Sequence, residues 1–127
     1  MAFHNEVGRW GEQAACDYLV TQGYAIIERN CKVNRIEIDI VACKDTLICF
    51  IEVKTRSSDE IDPVYAIDDK KMRRMCRAAD AYIKIHNLPL TPQIDIITVI
   101  GNPLSGITRI EHYPDCYLPT PVTAKIG

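Results

Sequence analysis

Residues 5 to 21 carry apolar side chains at helical spacing, with Val7, Trp10, Ala14 and Tyr18 on one stripe. Asn5 is a candidate N-cap, and Gln22-Gly23 closes the helix. Residues 24–33 then read as a strand that turns at Asn34-Arg35. Two β-prone runs follow, 36–42 and 47–54, and predict a hairpin with Lys44-Asp45 as its two-residue loop. That register sets Asp39 opposite Phe50 and Glu37 opposite Glu52. Alternation puts Ile38, Ile40, Ala42, Leu47, Cys49, Ile51 and Val53 on one apolar face. The other face runs from Val41, Ile48 and Phe50 to Glu37, Asp39, Glu52 and Lys54.

Residues 56–63 are polar and proline-closed, a loop. A second helix is predicted from 67 or 68 to 86 or 87. Met72, Met75, Cys76, Ala79, Tyr82, Ile83 and His86 line one side, and Lys70, Arg73, Arg74, Arg77 and Lys84 the other. Residues 94–100 form an apolar run, an interior strand, and a turn leads to a last strand at 107–113. The expected organisation is one domain over 1–113 and an irregular tail over 114–127. The order α-β-β-β-α-β-β predicts an α/β fold. An antiparallel meander would continue through a helical crossover to a strand parallel to the third, giving a mixed sheet flanked by helices.

Composition narrows the class. The chain has 127 residues, 47% apolar and 25% charged, which is one folded domain of ordinary size. No uncharged stretch is long enough to span a bilayer, and the first residues lack a secretory leader pattern, so the expectation is a cytoplasmic protein with no membrane partner. Six cysteines show no C-x-x-C spacing and sit mostly in apolar segments, as small buried hydrophobes do. With a net charge of −2, nucleic-acid contact would need a local basic surface. Lys70, Arg73, Arg74 and Arg77 crowd one helix face without interleaved acids, which is either such a surface or a solvated face.

The polar end of the hairpin carries the candidate chemistry. Carboxylates facing each other on a sheet repel, and a divalent cation would relieve the repulsion. Asp39 followed by Glu52-Val53-Lys54 is the D…E-x-K arrangement of metal-dependent phosphodiesterases with the restriction-endonuclease-like fold. Hard carboxylate oxygens from Asp39 and Glu52, with the Val53 carbonyl, suit Mg2+ or Mn2+. Lys54 would position water or stabilise developing charge. The alternative is a charge-balanced sheet edge. Glu37 either supports the ion's ligands, binds a second ion, or pairs with Arg35 or Lys54; Asp95, in an apolar strand, is either a buried hydrogen-bonding group or a site residue.

The chain resembles the YraN-type family of nuclease-like proteins. The resemblance lies in Gly8-Arg9-Trp10-Gly11-Glu12, Gly23-Tyr24, Arg29-Asn30, Glu37-Ile38-Asp39, Phe50-Ile51-Glu52-Val53-Lys54-Thr55-Arg56, Lys70-Lys71 and Asp95. Two positions depart, Ile36 where the family usually has glycine and Gln93-Ile94 where it has Arg-Phe. The resemblance implies a restriction-endonuclease-like core and hydrolysis of DNA phosphodiester bonds, with Glu12 joining Asp39, Glu52 and Lys54 as an extra ligand or a partner orienting Lys54. Arg56 and the basic helix would contact nucleic acid. Similarity to archaeal Holliday-junction resolvases implies branched or otherwise structured DNA as substrate; RNA and a second copy of the chain stay open as partners. The rival expectation is a nucleic-acid-binding accessory that does not cleave.

Overall fold

The structure, a computed structural model, describes residues 2–57 and 68–115. Its elements run α1 (Ala2–Thr21), β1 (Ala25–Val33), β2 (Ile36–Lys44), β3 (Leu47–Arg56), α2 (Asp69–His86), β4 (Thr91–Asn102) and β5 (Gly106–Tyr113). This is the expected order. The five strands form one sheet in sequence order, antiparallel except for the parallel β3–β4 pair that α2 connects. Among the described residues no helix is long and apolar enough to cross a membrane.

Each sheet face is buried by one helix. Ala14, Ala15, Cys16 and Leu19 of α1 pack on Ile40, Ala42, Cys49, Ile51, Ile97 and Val99. On the opposite face Met72, Met75, Ala78, Ala79 and Tyr82 of α2 pack on Val33, Ile38, Val41, Ile48, Phe50, Ile94 and Ile96. Because β3 and β4 are covered on both sides, they read as near-continuous apolar runs. The α2 ends are well defined. The Asp68 side chain accepts from the Lys71 N–H at 2.7 Å, and Asn87 takes the left-handed conformation that closes the helix. Helix α1 begins before Asn5, so Asn5 is an internal residue rather than the cap.

Three local expectations are corrected. The β2–β3 loop is Asp45-Thr46, with Asp45 at φ 55°, so Val41 rather than Asp39 lies opposite Phe50. The ladder ends at Ile40 with Ile51, and Glu37 pairs across β1 with Lys32 instead of facing Glu52. A slip of two residues keeps every side chain on its face, so alternation in the sequence is blind to it. Ile38 departs for another reason. It packs under α2 while Ile40 packs under α1, so β2 reverses its faces at Asp39. Opposite Asp39 on β1, between the Arg29–Ile40 and Cys31–Ile38 pairs, stands Asn30 at φ 52°. A left-handed residue breaks the pleat there and carries both strands through the reversal. Of the expected tail, Pro114 and Asp115 form a turn; residues 116–127, like most of the expected 56–63 loop, lie outside the described residues.

Candidate functional site

The site forms where the β2–β3 ladder splits. Beyond the Ile40–Ile51 pair the two strands part, and the Asp39 carboxylate fills the gap, its Oδ2 accepting the Val53 N–H at 2.8 Å. Val53 therefore fixes Asp39 through its amide. Glu52, one residue earlier, is 3% exposed, and its charge acts on Asp39. Burial first, and the neighbouring Glu52 charge second, raise the Asp39 pKa well above the ordinary carboxylate range.

Glu52 is compensated on one oxygen only. Its Oε2 pairs with Lys71 Nζ at 2.9 Å and lies 3.6 Å from Lys54 Nζ. Its Oε1 is buried with no hydrogen-bond partner among the described residues. An orphaned buried carboxylate oxygen is costly. Beside a second carboxylate it is the donor set a hard divalent cation satisfies, so the residues fit Mg2+ or Mn2+. No group of three His, Cys, Asp or Glu side chains among the described residues is already arranged around one ion. Asp39 and Glu52 could supply two ligands to such an ion, and further ones would have to come from backbone or water.

Glu12 reaches the site from α1. Its pKa is raised, by burial above all, while Arg29 and a hydrogen bond with Asn30 lower it and the charges of Glu37 and Glu52 raise it. Glu37 is exposed, and its influence on Glu12 puts it at the margin of the same group. Helix α1 comes this close because of Gly11: a Cβ there would collide with the Thr55 side chain at the end of β3. Glycine inside a helix costs about 1 kcal/mol, and here it permits the approach that delivers Glu12.

Asp95 stands apart. It is fully buried, with Oδ1 accepting from Gln93 and from the Asp115 N–H, both at 3.0 Å, and Oδ2 2.7 Å from His112 Nε2. Those bonds satisfy it from β4, β5 and the turn after β5, and none of these hydrogen-bond partners belongs to the Asp39–Glu52 group. Arg56 ends β3 and donates to the Thr55 carbonyl. The basic face of α2 is not uniform: Lys71 and Arg74 border the site, whereas Arg73 and Arg77 line a separate groove with Cys76 and Asp80, and Lys70 is exposed. The sequence reading passed over Lys71 as a site residue. Its signal was available, because position 71 precedes the apolar Met72 and so lies at the border of the buried stripe.

Comparison with known proteins bears out the family resemblance. Residues 11–99 match the profile of uncharacterised protein family UPF0102. A UPF0102 protein of Bacteroides thetaiotaomicron is 44% identical over 94% of this chain and 98% of its own length. Relatives from Bacteroides fragilis and Parabacteroides distasonis are 43% and 40% identical over 94% and 92% of this chain, and over 98% and 96% of their own lengths. On that match the chain belongs to UPF0102, the YraN-type family.

Proposed function

We propose that this protein is a divalent-metal-dependent nuclease that hydrolyses DNA phosphodiester bonds, with structured DNA such as junctions or repair intermediates as its substrate. The observation that carries the reading is the buried Oε1 of Glu52, without a hydrogen-bond partner among the described residues, beside Asp39, whose pKa burial raises. Both features are unfavourable in a purely structural site, and both are relieved by a cation. Asp39 and Glu52 would hold Mg2+ or Mn2+, with the Val53 carbonyl as a further ligand; the ion would supply charge neutralisation on the phosphate and an acidified water. The Val53 N–H keeps Asp39 in its ligating orientation. Lys54, 26% exposed and tethered near Glu52, is free to orient the attacking water or meet charge developing on the phosphate. Glu12 adds negative charge that favours the ion. The five described cysteines are all free thiols, which supports a reducing, cytoplasmic setting.

One observation favours the accessory reading. Lys71 already neutralises Glu52 at 2.9 Å, so the pair tolerates having no ion. The two readings separate in a cleavage panel of linear, nicked, flapped and four-way-junction DNA, with RNA counterparts, in Mg2+ and Mn2+. Metal-dependent products that disappear in Glu52→Gln are expected. Products equal in wild type and Glu52→Gln on every substrate would leave the protein a binder that does not cut.

A further inference from the structure

Four basic residues of α2 divide between two surfaces. Arg73 and Arg77 share a groove with Asp80. Lys71 and Arg74 instead line an open cleft of about 300 Å³ together with Arg35, Ile36 and Glu37. We propose that this cleft binds a backbone phosphate of the nucleic-acid strand next to the bond to be cut, held by the guanidinium groups of Arg35 and Arg74. The proposal rests on the nuclease reading of the Asp39–Glu52 site.

Three features support it. The first is charge. Arg35 and Arg74 outnumber Glu37 in the cleft, while the charge of Lys71 is shared with Glu52. Among the described residues neither guanidinium has an ion-pair partner, and planar forks of this kind match phosphate oxygens. The second is position. Lys71 lines the cleft and touches Glu52, so a phosphate seated there lies one lysine side chain away from the carboxylates, as an adjacent phosphate on one strand would.

The third is backbone cost. Asn34 and Arg35 form the β1–β2 turn with φ of 51° and 69°. Both positions of such a turn need positive φ, and the second is normally glycine. Arginine carries a steric penalty there. A turn that only had to close the hairpin would be better served by glycine, so the guanidinium gives the position a reason the backbone does not.

The test is binding of a short fluorescein-labelled DNA duplex by anisotropy in EDTA, across a salt series, so that no cleavage is needed. Wild type, Arg35→Gly/Arg74→Gln and Arg73→Gln/Arg77→Gln are compared, with thermal melting of each. The Arg35/Arg74 variant should bind at least about tenfold more weakly, flatten the log K against log salt slope by about two, and melt no lower than wild type, because glycine relieves the turn. The Arg73/Arg77 variant should keep the wild-type slope. Equal losses in both variants, an unchanged slope in the first, or no binding by wild type would each overturn the proposal. Wild type that binds this way yet cuts no substrate would overturn the hydrolytic reading and leave the cleft assignment standing.

Discussion

Lys71 Nζ lies 2.9 Å from Glu52 Oε2, nearer than Lys54 Nζ at 3.6 Å. The lysine of the E-x-K arrangement is therefore not the main counter-charge of its own glutamate. That work falls to α2, which leaves Lys54 loosely held. Removing Lys71 takes away the closer partner of a buried carboxylate. With Lys71 partly exposed and Lys54 still present, Lys71→Ala should cost about 1–2 kcal/mol in the metal-free protein. Added Mg2+ should recover most of it. Urea unfolding with and without Mg2+ measures both; a loss that Mg2+ leaves untouched would mean the ion does not share Glu52.

Asp39 gives a pH signature. In the unfolded chain its carboxyl ionises near the ordinary value of 3.8, whereas in the fold the proton is held to higher pH. Its contribution to stability is thus complete below about pH 4 and is lost as pH rises through the folded value. In Asp39→Asn the amide keeps an acceptor for Val53 and offers Glu52 a donor. The metal-free variant should match wild type near pH 4 and exceed it at pH 8 by on the order of 1–2 kcal/mol, discounted for partial solvent access. Melting at the two pH values decides; a variant less stable at pH 8 would show that the burial of Asp39 is already compensated.

Turnover and metal binding should separate. Lys54→Ala is expected to retain Mn2+ binding, since the ammonium is not a ligand, and to lose cleavage by about 10²-fold or more. Asp39→Ala and Glu52→Ala should lose both. Mn2+ titration followed by electron paramagnetic resonance reads the first property, and the cleavage panel the second. Lys54→Ala that no longer binds Mn2+ would make the lysine structural.

The two glycines of α1 should respond in opposite directions. Gly8 faces open space, so Gly8→Ala gains helix propensity and stabilises by about 0.5–1 kcal/mol. Gly11→Ala meets the Thr55 side chain and should destabilise despite the same gain. Thermal melts of the two variants check this, and equal shifts would mean that α1 does not approach β3 through Gly11.

The sequence made some parts of this fold plain and hid others for physical reasons. The 3.6-residue stripe from Met72 to Tyr82 predicts α2 and its buried side, and the caps at Asp68 and Asn87 fall at the predicted ends. The Asn34-Arg35 turn also stands where expected. The β2–β3 register was not legible, because the faces of Val41, Phe50, Ile51 and Ala42 are the same in either pairing. Nor was the face reversal at Asp39, which depends on Asn30 adopting a left-handed conformation on a neighbouring strand. Asp39, Glu52 and Lys54 could be recognised as a group from the pattern. Lys71 left a trace in its place beside the buried Met72, whereas Arg35 left none, since its approach depends on how the β1–β2 turn meets the α2 crossover in space.

The Asp115 amide bonded to the buried Asp95 limits how far back the chain can be shortened. Periodicity alone ends the domain at Tyr113, the last residue of β5. A truncation there would strip one donor from a carboxylate that has no access to water, leaving Gln93 and His112 to hold it. Charge-assisted bonds of this type are worth about 1.5–3 kcal/mol, a large share of a small domain's margin. A chain ending at Tyr113 should therefore melt lower, and be cut faster by proteases, than one ending at Asp115.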